Sequence, residues 1–134
     1  MKLDFIDPPR LCPTNGWSQV VSIQGANRTV YVSGQVAVDA QGNVVGKGDL
    51  KRQTEQAFEN LTIGLKAAGA TWRDVVKSNL YVVGLKPSDV PMLREVRARY
   101  INREKPPAST LVGVAALVGA DWLIEIEVVA VLAE

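Results

Sequence analysis

The sequence contains no histidine and a single cysteine, Cys12. The absence of histidine excludes a Ser-His-Asp triad, a Cys-His dyad and every histidine-based zinc site. One cysteine permits neither an intrachain disulfide nor a cluster of thiolate ligands, and it is typical of a reducing compartment. Acid–base chemistry therefore has to come from carboxylates, lysine, tyrosine, an activated hydroxyl or thiol, or bound water. We predict no metal ion and no other cofactor.

The sequence also lacks a strong excess of either charge and any long apolar run. Its 15 basic and 14 acidic residues give a net charge of +1, so no strong field is present to recruit nucleic acid or an anionic membrane. No run approaches the ~18 apolar residues of a membrane span. The first seven residues, MKLDFID, lack the apolar core of a signal peptide. These absences predict a cytoplasmic protein with no nucleic-acid partner and no membrane partner.

The composition is that of a globular protein. Hydrophobic residues make up 47% of the chain and charged residues 22%, which is outside the range of disordered sequences. The length of 134 residues suits one domain with a normal core. No linker, low-complexity tract or internal repeat interrupts it. We therefore expect residues 1–134 to form a single domain.

The hydrophobic pattern predicts two helices among several strands. Two β-branched runs flank the turn residues 24–28 and predict a hairpin. Asp49 is a fair N-cap for a helix whose apolar stripe ends before Gly69. The predicted elements are strands 20–23, 29–34 and 35–38, a helix 50–68, a strand 75–83, a helix beginning near Asp89 or Val90, and strands 109–117 and 122–132.

This order of elements predicts an α+β fold. Each helix is amphipathic with one buried side, so we expect one sheet with both helices on the same face. The other face of that sheet would carry valine, isoleucine and leucine side chains that need cover. An oligomer is the simplest way to cover them.

Two C-terminal segments, KPPASTLVGV at 105–114 and IEIE at 124–127, point to a known family. With five further segments in the same order, they resemble the Rid family (YjgF-like reactive-intermediate deaminases). The resemblance implies a chorismate-mutase-like domain with a mixed sheet. It also implies a homotrimer with a barrel-like core and ligands in clefts between subunits. The further segments are NGWSQ at 15–19, YVSGQ at 31–35, QTEQAFENL at 53–61, AG at 68–69 and VVK at 75–77.

The resemblance also implies a chemistry. Catalytic members hydrolyse enamines and imines such as 2-aminoacrylate to a keto acid and ammonia. An arginine holds the substrate carboxylate through two parallel donors, and a glutamate on the last strand positions water. Carried over by position, the pocket aromatic is Trp17, the backbone pair is Ser33 and Gly34, and the water-positioning glutamate is Glu125. The arginine position holds Ser109.

Each of these residues has a plainer alternative. The hydroxyls of Ser109 and Thr110 are ligand-binding candidates, or they bond to local backbone. A one-residue register shift exchanges which of the two faces the cleft. Arg94 falls where deaminases often have a ligand-contacting asparagine and is a candidate for the missing positive charge. Its alternative is a solvated helix face that also carries Arg97, Arg99 and Arg103.

Similar alternatives hold for the remaining candidates. Glu125 and Glu127 share one face of a strand, and both are candidates for solvated or ion-paired carboxylates, Glu127 above all. Trp17 and Gly34 have packing roles as their alternatives.

Three functions follow from these observations. The first is a Rid-family homotrimer that binds a small metabolite (an imine, enamine, keto acid or amino acid) in intersubunit clefts and hydrolyses an imine other than 2-aminoacrylate. The second is a non-catalytic metabolite-binding or regulatory module, so the residues leave open whether the protein is an enzyme. The third is an RNA-acting protein, an endoribonuclease or translation inhibitor. The absence of histidine and of a basic patch disfavours it.

Overall fold

The computed structural model describes all 134 residues. Short 3-10 turns at Trp72–Asp74 and Pro87–Asp89 lead into the fourth strand and the second helix. The elements in chain order are β1 (Lys2–Ile6), β2 (Val20–Gln24), β3 (Arg28–Gln35), α1 (Leu50–Ala67), β4 (Val75–Val83), α2 (Val90–Ala98), β5 (Ala108–Val114) and β6 (Ile124–Leu132).

Four of the strands form a mixed sheet in the order β3-β6-β4-β5. β4 and β5 are parallel, whereas β6 is antiparallel to both β3 and β4. β3 and β5 are therefore the two edges of this sheet. β1 and β2 form a separate antiparallel pair.

Both helices pack on one face of the sheet, as the sequence predicted. Alternate residues of β4 and β6, such as Leu80 and Ile126, are buried against α1 and α2 in one core cluster. Phe58 of α1 stacks on Tyr100, just beyond α2, with ring centroids 4.9 Å apart. The α+β class with both helices on one face is thus confirmed. Neither helix has the length and hydropathy that a bilayer-spanning segment needs.

A buried amide ties α1 to the start of β6. Gln53 is fully buried, and its Nε2 donates to the carbonyl oxygens of Gly46 (3.2 Å) and Asp121 (2.9 Å). Its Oε1 accepts from the Leu123 amide at 2.9 Å. The Gly46 carbonyl also accepts from the Asp49 amide at 2.9 Å, whereas the Asp121 carbonyl and the Leu123 amide have Gln53 as their protein partner. This side chain therefore fixes the approach to β6.

The predicted hairpin between strands 20–23 and 29–34 is wrong. β2 pairs instead with β1, a strand that the sequence pattern did not reveal, in the register Phe5 to Val21. The turn residue Asn27 explains the difference. Its amide donates to the Leu132 carbonyl at 3.0 Å, and its Nδ2 donates to the Ala133 carbonyl at 2.6 Å. These bonds direct β3 along β6 and away from β2.

The remaining differences concern strand ends and the open face of the sheet. The predicted strand 35–38 is only the end of β3 and a single bridge from Val38 to Val44. β5 stops at Val114 and β6 starts at Ile124, so both are shorter than predicted. The open face is also less apolar than predicted, because polar residues alternate with core residues along β4 and β6. Its side chains include those of Tyr31, Lys77, Asn79, Tyr81, Thr110, Val112, Glu125, Glu127 and Val129.

Candidate functional site

Three of the predicted site residues, Trp17, Arg94 and Ser109, line one cavity of about 200 Å³. The cavity lies between α2 and the edge strand β5. Its remaining wall is mostly apolar, and this combination of an apolar wall with few polar groups is typical of small-molecule sites. The other lining residues are Leu80, Val90, Leu93, Arg97 and Leu111.

The loop before β2 brings Trp17 to this cavity. The buried Ser18 donates from its amide to the Pro107 carbonyl at 3.0 Å. Its hydroxyl donates to the Pro106 carbonyl at 2.7 Å. Proline has no amide hydrogen and disfavours a helical conformation in the preceding residue, so this segment runs extended into β5. Ser18 also forms a bridge with Ala108, which places Trp17 beside Ser109.

Ser109 and Thr110 lie on opposite faces of the sheet. Ser109 is in register with the buried Ser78 on the helix-covered side, and the Ser78 hydroxyl donates to Ser109 Oγ at 3.1 Å. A hydroxyl has one donor and two acceptor sites, so Ser109 can bond to Ser78 and to a ligand in the cavity at the same time. Thr110 instead accepts from Lys77 Nζ at 3.1 Å on the open face. The structure thus brings Ser109, but not Thr110, to Trp17 and Arg94.

Arg97 also lines the cavity, although the sequence assigned it to a solvated face. Its Nη2 donates to the Asn15 carbonyl at 3.0 Å, and its Nε is buried without a hydrogen-bond partner. Burial, and then the nearby charge of Arg94, lower the pKa of Arg97. Arg97 follows the buried Leu93 by four residues, so it lies beside that leucine on the helix. The same spacing also fits an arginine at the solvent-facing border of the apolar stripe, so it did not by itself predict the burial of Arg97.

The other predicted residues gather at the opposite edge of the sheet. Ser33 and Gly34 form a β-bulge, because Val32 pairs with Val128 and the next pair joins Gln35 to Ile126. A bulge inserts one extra residue and redirects the local backbone. Glu125 lies against this bulge. A Cβ on Gly34 would come within 2.8 Å of its Cδ, so any other residue at this position would displace the carboxylate.

Glu125 and Glu127 differ in their hydrogen bonds. Glu127 Oε1 accepts from Tyr81 Oη at 2.6 Å and from Asn79 Nδ2 at 3.1 Å. The hydrogen bond to Glu127 raises the pKa of Tyr81, and desolvation and the charges of Glu127 and Glu125 add to this effect. No side chain or backbone group donates a hydrogen bond to the carboxylate of Glu125. The Glu127 carboxylate is therefore held by hydrogen bonds from β4, whereas the Glu125 carboxylate is free to bind water or a ligand.

The candidate residues thus form two separate groups in one chain. Trp17, Arg94 and Ser109 are on the helix-covered side at the β5 edge. Ser33, Gly34 and Glu125 are at or near the β3 edge, with Glu125 on the open face. No cavity of the single chain is lined by residues of both groups.

Comparisons with known proteins agree with this fold and with these segments. The family model described as Endoribonuclease L-PSP matches residues 8–132. The chain superimposes on the crystal structure of YyfB from Yersinia pestis, a protein of the conserved Rid family, with a TM-score of 0.88. The two are 38% identical in sequence, and the alignment covers 98% of this chain and 100% of that one.

Two curated relatives extend the comparison. A RutC family protein of Pyrococcus horikoshii is 36% identical over 118 residues, which are 88% of each chain. A 2-iminobutanoate/2-iminopropanoate deaminase of Dermatophagoides farinae is 33% identical over 105 residues, 78% of this chain and 77% of that protein. The match to the family model over most of the chain, with relatives of this similarity, shows that the protein belongs to the Rid (YjgF-like) family.

Proposed function

We propose that the protein binds a small imino acid in clefts between adjacent copies of a homotrimer and hydrolyses its imine. The division of the candidate residues between two edges of one sheet carries this proposal. The apolar cavity with Ser109 lies beside β5, and the free carboxylate of Glu125 lies against the bulge of β3. A ring of copies that brings the β5 edge of one subunit to the β3 edge of the next joins the two groups.

The two groups supply complementary parts of an imine hydrolysis. Water adds to the imine carbon and ammonia leaves from the resulting carbinolamine, so that C=NH and H2O become C=O and NH3. Glu125 accepts a proton from the water as its oxygen attacks, which requires a carboxylate without competing donors. Trp17 and the leucines of the other subunit exclude bulk water from the ligand. The deaminase name of the Dermatophagoides farinae relative supports the same reaction.

The test is hydrolysis of 2-iminobutanoate, generated in situ from 2-aminobutanoate by an amino-acid oxidase. The appearance of 2-oxobutanoate is measured against the spontaneous rate. We expect the protein to accelerate the reaction and Glu125→Gln to lose about 100-fold or more of that acceleration. Glu127→Gln is the matched control, since it removes the same charge two residues away on the same face. We expect it to stay within about threefold of the parent protein, because Tyr81 can still donate to the amide oxygen.

The outcomes separate the candidate functions. Acceleration that survives Glu125→Gln contradicts the role of this carboxylate. Saturable binding of 2-oxobutanoate with no acceleration contradicts hydrolysis and leaves the non-catalytic binding module. Neither binding nor acceleration contradicts the site itself.

A further inference from the structure

Arg94 and Arg97 lie at the junction of two adjoining cavities. The first is the cavity that Trp17 and Ser109 line. The second has a volume of about 180 Å³ and adds Arg103 to the two arginines. No acidic side chain lines either cavity. The positive charge at this junction is therefore not neutralised by the chain itself.

The contacts of each arginine confirm that the charge is uncompensated. Arg94 makes no ion pair and no side-chain hydrogen bond, and it extends from an exposed position of α2. Arg97 has only the neutral carbonyl of Asn15 as a partner, and its buried Nε has none. A buried donor without a partner is costly, and so is a partly buried charge without a counter-ion. An anion placed between the two guanidinium groups would supply the missing counter-charge.

A third arginine of the same segment provides the contrast. Arg99 donates to Glu95 and to Glu55, each at 2.7 Å. These bonds raise the pKa of Arg99 and lower that of Glu95. The only acidic residue within α2 is thus paired outside the cavity. Arg94 and Arg97, by contrast, have no acidic partner. Both are therefore candidates for binding an anionic ligand.

We propose that Arg94 and Arg97, rather than a residue of β5, hold the carboxylate of the ligand. This inference rests on the proposed function and specifies how the site recognises its substrate. A guanidinium binds a carboxylate through parallel donors, and both arginines line the two cavities without an acidic partner. The neutral hydroxyl of Ser109 then donates a hydrogen bond to the same carboxylate. In this chain the positive charge comes from the helix.

The apolar part of the cavity lining defines the rest of the ligand. It consists of Trp17, Leu80, Val90, Leu93 and Leu111, and Ser109 is the one uncharged polar residue in the lining. The ligand class is therefore a small monocarboxylic acid with an apolar side chain and an imine or keto group at the α-carbon.

The experiment compares an acid with its neutral isostere. Binding of 2-oxobutanoate and of 2-oxobutanamide is measured by calorimetry at low ionic strength. We expect the parent protein to prefer the acid by about tenfold or more. Arg94→Gln and Arg97→Gln should each lower affinity for the acid about tenfold while leaving affinity for the amide unchanged. Arg99→Gln is the control. It removes the same charge from the same segment but should preserve the preference.

A rescue experiment strengthens the test. Ser109→Arg in the Arg97→Gln background returns a guanidinium to the cavity from the strand, and we expect it to restore most of the preference for the acid. Arg97 also holds the Asn15 loop, so Arg97→Gln could destabilise the protein. Arg94 has no protein partner, and its variant tests the proposal independently.

Each result bears on a different statement. A preference for the acid that persists in both arginine variants overturns this inference. Equal binding of acid and amide by the parent protein also overturns it but leaves the proposed function standing. Binding of neither compound overturns both.

Discussion

Replacement of the buried Gln53 by leucine provides a quantitative test of how α1 positions β6. Leucine has a similar volume, so the change removes hydrogen bonds with little change in packing. The Asp121 carbonyl loses its donor and the Leu123 amide loses its acceptor, whereas the Gly46 carbonyl keeps its bond from the Asp49 amide. The two groups without a partner both lie just before the start of β6.

The magnitude follows from the two backbone groups that lose their partner. An unpaired buried polar group costs about 1–3 kcal/mol, whereas the apolar side chain returns about 2 kcal/mol on burial. We therefore expect Gln53→Leu to lower the free energy of unfolding by about 2 kcal/mol. Gln56→Leu on the same helix is the control. Its partners are side chains of Arg52 and Asn60, which can find other partners, so we expect a loss of about 1 kcal/mol or less.

Urea denaturation measures both variants at one protomer concentration, because association would otherwise shift the midpoints. The slopes of the transitions should be the same, so that the midpoints report stability alone. Equal losses for Gln53→Leu and Gln56→Leu would refute the role of the buried amide.

Two further predictions concern the site loop and the open face of the sheet. Gly16 has φ +76°, and a Cβ there would lie 2.7 Å from Arg97 Nη2. Gly16→Ala should therefore weaken 2-oxobutanoate binding more than Gly42→Ala, which has φ +82° and no atom within 4 Å of the added carbon; equal calorimetric affinities would argue against this. The hydrogen bond to Glu127 raises the pKa of Tyr81 above its ordinary value of 10.0, so the neutral phenol adds stability that is lost as the pH rises above that value. The free energy of unfolding should fall more steeply there than in Tyr81→Phe, and parallel declines would contradict this.

The fold was largely predictable because helical and strand periodicities differ. The apolar stripe of α1 and the alternation of polar and apolar residues in β6 each fit one period only. The partner of β2 was not predictable, because it depends on the bonds of Asn27 to the distant C-terminal backbone. Pairing over such separations leaves no local signal in the sequence.

The site was predictable in part for the same reason. The motif positions predicted Trp17, Arg94 and Ser109 as site residues, and these three residues line one cavity. The choice between Ser109 and Thr110 required the register of β5 on β4, which a sequence does not define. Arg97 was missed because an arginine at the border of a helix stripe has the same pattern whether it faces solvent or a cavity.

The most direct test of the shared cleft is complementation between two variants, each inactive alone. Glu125→Gln removes the carboxylate from one group of residues, and Arg94→Glu reverses a charge in the other. The two proteins are unfolded and refolded as an equal mixture, and 2-iminobutanoate hydrolysis is measured. If adjacent copies share each cleft, about a quarter of the clefts combine two intact groups, and we expect about that share of the parent activity. A mixture no more active than the separate variants would contradict a site that is completed between subunits.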